Sequence, residues 1–272
     1  MAETVPVSAL QVPKIRRISG DNPWQWLSAG WRDMQRAPYA SLLYGAVFAL
    51  AGYLLTALIW VVEAFSLVLP LAAGFMLIGP ILCVGLYDIS RRLEKGEPVS
   101  FLRSLEAWRP NMSQIALMGL ILTLFLLAWM RFATLLFALF FADSPPRPEP
   151  LFLLDVFLSA RSLPFLALGT ALGGILAALV FSISAVSIPL LLDRDANVVS
   201  AIAASVESVR QNFWPMMLWA WLIVIFVGAG MATLYLGLIV TLPLIGHASW
   251  HAYRDLVAWD GAAWDGAAWD GD

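Results

Sequence analysis

His247 and His251 are the only two histidines in a chain of 272 residues. They stand four apart, so on a helix they share one face. Paired helical histidines can hold one metal ion, as in HExxH zinc sites, where a Glu supplies the base and a further ligand comes from elsewhere. Here the residues between them are Ala248, Ser249 and Trp250, so no base accompanies the pair. Cys83 and Asp88 are the candidates for a further ligand, because the segment that holds them aligns with the one that holds the histidines. The competing reading is structural: Trp250, Tyr253 and Arg254 are the aromatic and snorkelling residues that anchor the end of a membrane span. A third reading makes the pair a proton or ligand contact. Arg131, Arg91 and Arg254 are the other polar candidates, since a charge inside an apolar block is a functional site when it faces the protein interior. Arg131 interrupts a long apolar run and can snorkel outward or pair with Asp143 or Asp155. A Walker loop, a nucleophile elbow and a dinucleotide fingerprint are all missing from the sequence.

The elements that must position these residues are membrane helices. The chain is 61% hydrophobic and 13% charged, with mean hydropathy +0.80. A soluble domain is about 45–50% apolar and about 25% charged. The apolar residues arrive in blocks long enough to span the roughly 30 Å of hydrocarbon. The net charge of −3 leaves no basic surplus for nucleic acid. The lone cysteine, Cys83, lies inside an apolar block and permits no internal disulfide. Residues 1–37 lack the apolar core of a cleavable signal, so the first span is expected to act as its own insertion signal.

The blocks predict six spans: 39–62, 67–89, 115–141, 163–192, and two within 213–250. Gly228-Ala229-Gly230 is the expected reversal between the last two, because glycine tolerates the angles of a tight turn. All of the 16 Lys and Arg residues except Arg131, Arg147 and Arg161 then fall on one side. The positive-inside rule makes that side cytosolic, with both termini facing the cytosol. The expected fold is all-α: a polytopic membrane protein with short amphipathic interfacial helices. A cytosolic segment 1–37 precedes the membrane domain 38–257, and a Trp-Asp-Gly repeat tail, 258–272, reads as disordered.

Three cytosolic stretches carry apolar stripes. Trp24, Leu27, Trp31 and Met34 form one; Phe101, Leu102, Leu105 and Trp108 a second; Val198, Ile202, Val206 and Val209 a third. Each predicts a helix lying on the inner membrane face or packed on the bundle. An Arg, an aromatic and a Pro follow each stripe, then two spans, which suggests a repeated hairpin unit. Pro80, Pro189 and Pro243 fall at similar depth in spans two, four and six, where each could kink its helix. Gly169, Gly173 and Gly174 on span four permit close helix approach. In the outer loop, 145–150 reads as a stiff Pro-rich turn and 151–158 as a short interfacial helix.

Three segments, "IGPILCVGLYDISRRLEKGEP" (78–98), "VSIPLLLDRDANVVSAIAASVESVRQN" (186–212) and "GLIVTLPLIGHASWHAYRDLV" (237–257), resemble a bacterial family of integral membrane proteins of unknown function. The resemblance covers about residues 30–257. It implies a six-span protein of the bacterial inner membrane with no established activity. Some members carry the label cytochrome c oxidase subunit I. A haem–copper catalytic subunit needs on the order of six His ligands for its haems and copper, and two histidines exclude it.

The expected function is therefore a non-enzymatic accessory, assembly or structural component of the membrane. Its expected partners are the lipid bilayer and a membrane protein such as a respiratory complex. The alternatives are a small transporter or channel lined by the kinked spans, and a haem- or metal-binding accessory protein using His247 and His251. No cofactor is expected on the first reading.

Overall fold

The computed structural model describes residues 13–143, 156–159 and 161–258. The Pro-rich turn, Arg147, Asp155 and the repeat tail beyond 258 lie outside the described residues.

The first helix, α1 (Asn22–Arg36), starts with Pro23 in its opening turn, where a missing N–H costs nothing. It ends at Ala37, which sits at φ −129° and ψ 55°. Pro38 forces that geometry, because a proline ring disfavours the α conformation in the residue before it. The chain therefore turns an elbow at Ala37 and starts α2 (Pro38–Val61). The second apolar block is two helices, α3 (Val68–Leu82) and α4 (Val84–Glu94), separated at Cys83. A single turn, α5 (Phe101–Ser104), leads to α6 (Met112–Phe141). The fourth block is also divided, into α7 (Ser162–Ser184) and α8 (Ser187–Asp193). Then come α9 (Val198–Gln211), α10 (Phe213–Ala232) and α11 (Leu238–Leu256).

Among the described residues, five helices or helix pairs are long and apolar enough to cross a membrane: Pro38–Val61, Phe65–Glu94, Phe101–Phe141, Ser162–Asp193 and Phe213–Ala232. The helix α11 is not among them, because its second half carries two histidines, Arg254 and Asp255. Its 19 residues measure about 28 Å at 1.5 Å per residue.

The reversal after α10 is not at the expected glycines, which are helical. It spans 233–237, with Leu234 and Tyr235 at φ of 53° and 64°, a region most side chains avoid. The glycines serve packing instead. A side chain on Gly230 would strike Thr241 and Leu238 of α11, and one on Gly237 would meet Gly230 at 2.8 Å. Tyr235 is held in its unusual backbone by α2: its hydroxyl pairs with that of Thr56 at 2.8 Å, and its ring lies where a Gly52 side chain would be.

The prolines occupy three different situations. Pro80 lies inside α3, three residues before the Cys83 break. Pro189 sits in the first turn of the new helix α8. Pro243 lies within an unbroken α11. Gly173 packs against the Trp129 ring of α6, whereas Gly169 and Gly174 face open space.

The amphipathic stretches are real, but their buried faces differ from the expected stripes. In α1 the buried face is Trp26, Leu27, Gly30, Asp33 and Met34, while Trp24 and Trp31 are exposed. Only one turn of 99–109 is α-helical, and Leu102, Leu105 and Trp108 point outward. In α9 the packed face is mostly Ala and Ser, with Val206 exposed. Small residues win there because they let α9 approach α7 and α8 closely.

Candidate functional site

The polar chemistry gathers around the second half of α11. From Leu242 to Trp250 and again from Ala252 to Tyr253 this helix is buried on all sides. It packs against α1, α2, α4 and α10. Glycines set those distances. A side chain added at Gly30 of α1 would lie 2.7 Å from the Ala248 backbone, and one at Gly45 of α2 would lie 2.5 Å from the Ile239 carbonyl. On α11 itself, a Gly246 side chain would strike Leu86 of α4 at 2.5 Å. The backbones therefore meet closely around the next residue, His247.

His247 is fully buried, and both ring nitrogens have partners. Nε2 lies 2.9 Å from Ser41 Oγ of α2, and Nδ1 lies 2.8 Å from Ser90 Oγ of α4. The Leu86 carbonyl also faces the ring. One turn later, His251 Nε2 lies 2.8 Å from Asp33 Oδ2 of α1. Asp33 is itself 5% exposed and lies beside Ser90 as well. Burial opposes its charge. The His251 hydrogen bond and charge, with help from Ser90 and His247, more than offset that and hold the carboxyl below its ordinary value. A buried polar group needs such partners, since leaving one unsatisfied costs about 1–3 kcal/mol.

A second layer of charges closes the same end. Asp88 is completely buried and accepts from Arg91 at 2.5 Å and Arg92 at 2.7 Å. Arg91 also donates to the Leu192 carbonyl of α8 at 2.9 Å. Arg254 donates to Glu94 at 2.7 Å and lies 3.7 Å from Asp193. Trp250 Nε1 donates to Glu94 at 3.0 Å, and the Tyr253 hydroxyl donates to Asp193 at 2.9 Å. Asp255 accepts from Trp26 Nε1 at 2.6 Å. These bonds tie α1, α4, α8 and α11 into one polar collar.

The first and last described segments meet at this collar. Lys14–Ile15 pairs antiparallel with Val257–Ala258. Asn212, between α9 and α10, clasps the incoming strand by accepting from Ile18 N at 2.9 Å and donating to the Arg16 carbonyl at 2.9 Å.

The candidate ligands do not converge. His247 binds two serines, His251 binds Asp33, and Asp88 binds two arginines. Cys83 is a buried free thiol at the α3–α4 break, beside Tyr87. Among the described residues, no group of three or more His, Cys, Asp or Glu is arranged to hold a metal ion. Arg131 is exposed on α6, far from the collar in sequence and on a different helix. Two apolar surface grooves of about 270 and 640 Å³ lie by the α1–α2 elbow, and neither is lined by His247, His251 or Asp33.

Sequence reasoning missed Asp33, Ser41 and Ser90. A signal existed for the first: Trp26, Gly30, Asp33 and Ala37 repeat at helical spacing on one face, so Asp33 belongs to the packed side of α1. The serines carried no comparable signal, because a small hydroxyl in an apolar run is ordinary helix-packing material.

No curated protein and no solved structure matches the chain. Residues 67–193, which run from the start of α3 to the end of α8, match the family described as "Predicted integral membrane protein (DUF2189)", so through that segment the chain is similar to an integral-membrane family of unknown function.

Proposed function

We propose that the protein crosses the bacterial inner membrane six times, with both termini in the cytosol, as a non-enzymatic accessory, assembly or structural component of a larger membrane system. The antiparallel pairing of Lys14–Ile15 with Val257–Ala258 supports an even number of crossings, with α11 as the sixth. The cation distribution supports a cytosolic collar. Exposed Trp24, Trp31, Tyr39, Trp108 and Trp214 supply aromatic anchors at that level. The recurrence of paired long helices supports duplication of a hairpin unit.

The observation that carries this reading is how the candidate polar residues are used. Arg91, Arg254, His247 and His251 each bind a neighbouring helix, and Asp88 holds Arg91 and Arg92 from within α4. That is the work of a brace. The outward surfaces of α2, α6 and α7 are apolar, with Leu54, Leu139 and Ile175 exposed, and they suit lipid or a lateral protein partner such as a respiratory complex. Purification from mild detergent tests the reading: a stoichiometric membrane-protein partner is expected, and a solitary, ion-conducting monomer would overturn it.

On this reading no haem or metal is bound. An optical spectrum and metal analysis of the purified protein should be blank; a haem band or stoichiometric metal lost in His247→Ala would favour the metal alternative. The buried His247 hydrogen bonds favour one second reading, a small proton-linked transporter. Solute flux in proteoliposomes that disappears in His247→Ala would establish it in place of the first.

A further inference from the structure

At the collar end of the bundle, three arginines stand just ahead of a spanning helix: Arg36 before α2, Arg109 before α6 and Arg210 before α10. Each has an acid three residues earlier, Asp33, Glu106 and Glu207, a spacing at which helical side chains can meet. Two of the three pairs close. Arg109 lies 3.0 Å from Glu106, and Arg210 grips Glu207 with two nitrogens, each at 2.8 Å. The third pair stays open. Asp33 turns inward, with its side chain 7% exposed, and takes His251 as its partner at 2.8 Å. Arg36 is left exposed on α1, and among the described residues it makes no ion pair.

An apolar groove begins beside this cation. It is lined by Trp31, Met34 and Gln35 of α1, Pro38 and Leu42 of α2, and Val240 of α11. The second groove shares Pro38 and Leu42 and continues past Leu43 and Ala46 along the seam with Ile239. The stretch of α2 from Pro38 to Ala46 gives this path about 12 Å of length. Gln35 and Tyr39 supply polar groups near the Arg36 end, whereas Leu43, Ala46 and Ile239 make the far end aliphatic. An amphiphile with an anionic head and a hydrocarbon chain matches that order. A soluble anion would leave the groove uncovered, and a neutral lipid would leave Arg36 without a counter-charge.

We propose that Arg36 and the α1–α2–α11 groove bind one anionic phospholipid of the surrounding bilayer. The guanidinium fork matches two phosphate oxygens, and one acyl chain lies along the α2–α11 seam. Only the placement of this end of the bundle at the membrane boundary is taken from the proposed function. The inward turn of Asp33 then has two consequences: it joins α1 to α11 through His251, and it leaves the Arg36 charge for the lipid. Arg109 and Arg210, whose charges Glu106 and Glu207 already take, are built-in controls.

Native mass spectrometry of the full chain in mild detergent, titrated with phosphatidylglycerol or phosphatidylcholine, tests the site. The wild type is expected to retain phosphatidylglycerol over phosphatidylcholine by about fivefold, the factor for one basic residue at an anionic surface. Arg36→Gln should abolish that preference, Arg36→Lys should keep most of it, and Arg210→Gln should leave it unchanged. Ala46→Trp, which fills the seam with Arg36 intact, should weaken retention of both lipids; unaltered retention would overturn the chain's place there. Equal retention of the two lipids by the wild type, or equal loss of preference in Arg36→Gln and Arg210→Gln, would overturn the proposal. Binding of inorganic phosphate in place of phosphatidylglycerol would make this a soluble-anion site and overturn the lipid. Each readout uses the chain without a protein partner, so these failures would leave the accessory role standing, and a missing partner would leave the lipid site standing.

Discussion

The two ends of the bundle are held together differently. Toward one end, α2, α6 and α7 turn Leu54, Trp60, Leu139, Leu163 and Leu168 outward, and α6 meets α7 through aromatic contacts, such as Phe137 and Phe141 against Phe165. At the other end, α8 from Ser187 to Leu192 and the second half of α11 are buried, and ion pairs and hydrogen bonds link them to α1 and α4. Lipid tails are as apolar as leucine, so apolar packing alone gives little preference for helix over lipid. Where the helices emerge toward water, polar pairs and small residues fix their positions. The difference teaches that chemistry-bearing residue types here serve assembly first.

Mutations at the two ends should separate sharply. Asp88→Ala is expected to be the most damaging, costing about 3–5 kcal/mol, because it leaves two arginines without their buried anion; unfolding in mixed micelles measures it. Gly45→Val comes next, at about 1–3 kcal/mol, since the new side chain would push on the Ile239 backbone. Loss of the α2–α11 contact would show as raised amide exchange in both helices. Asp33→Ala should cost about 1–3 kcal/mol by stranding His251. Leu54→Ala, on the lipid-facing surface, should stay within about 0.5 kcal/mol.

Acid provides a gentler probe of the same contrast. His251 holds the Asp33 carboxyl below its ordinary value in the folded protein, against the effect of burial. A carboxyl depressed in this way stabilises the fold above its unfolded pKa of about 3.9, and that contribution is lost as pH falls through the lower folded value. The wild type should therefore lose thermal stability below about pH 4, with a shallower acid limb in Asp33→Asn. Equal limbs would remove Asp33 from the account.

Much of the bundle was legible in the sequence, for reasons tied to particular residues. Long apolar blocks between charged ends announced the spanning helices, and Pro38 announced the start of α2. The breaks at Cys83 and at Ala185–Val186 were less legible, because proline marks a disturbance without fixing on which side the helix parts. The reversal after α10 was misread because Gly230 signals close packing and a turn equally well. The histidines drew attention to the right helix. Their partners did not, since Asp33, Ser41 and Ser90 lie 218, 206 and 157 residues away along the chain from the ring that each one meets. Only the fold brings them together.

The central claim is that the polar residues at this end act as a brace between helices, and the Asp33–His251 pair joins α1 to α11 most directly. A double-mutant cycle with Asp33→Ala, His251→Ala and the combined variant, read by unfolding in mixed micelles, isolates that pair. The account predicts a coupling energy of about 1–2 kcal/mol, within the range seen for residues in one network. Strictly additive losses would contradict it.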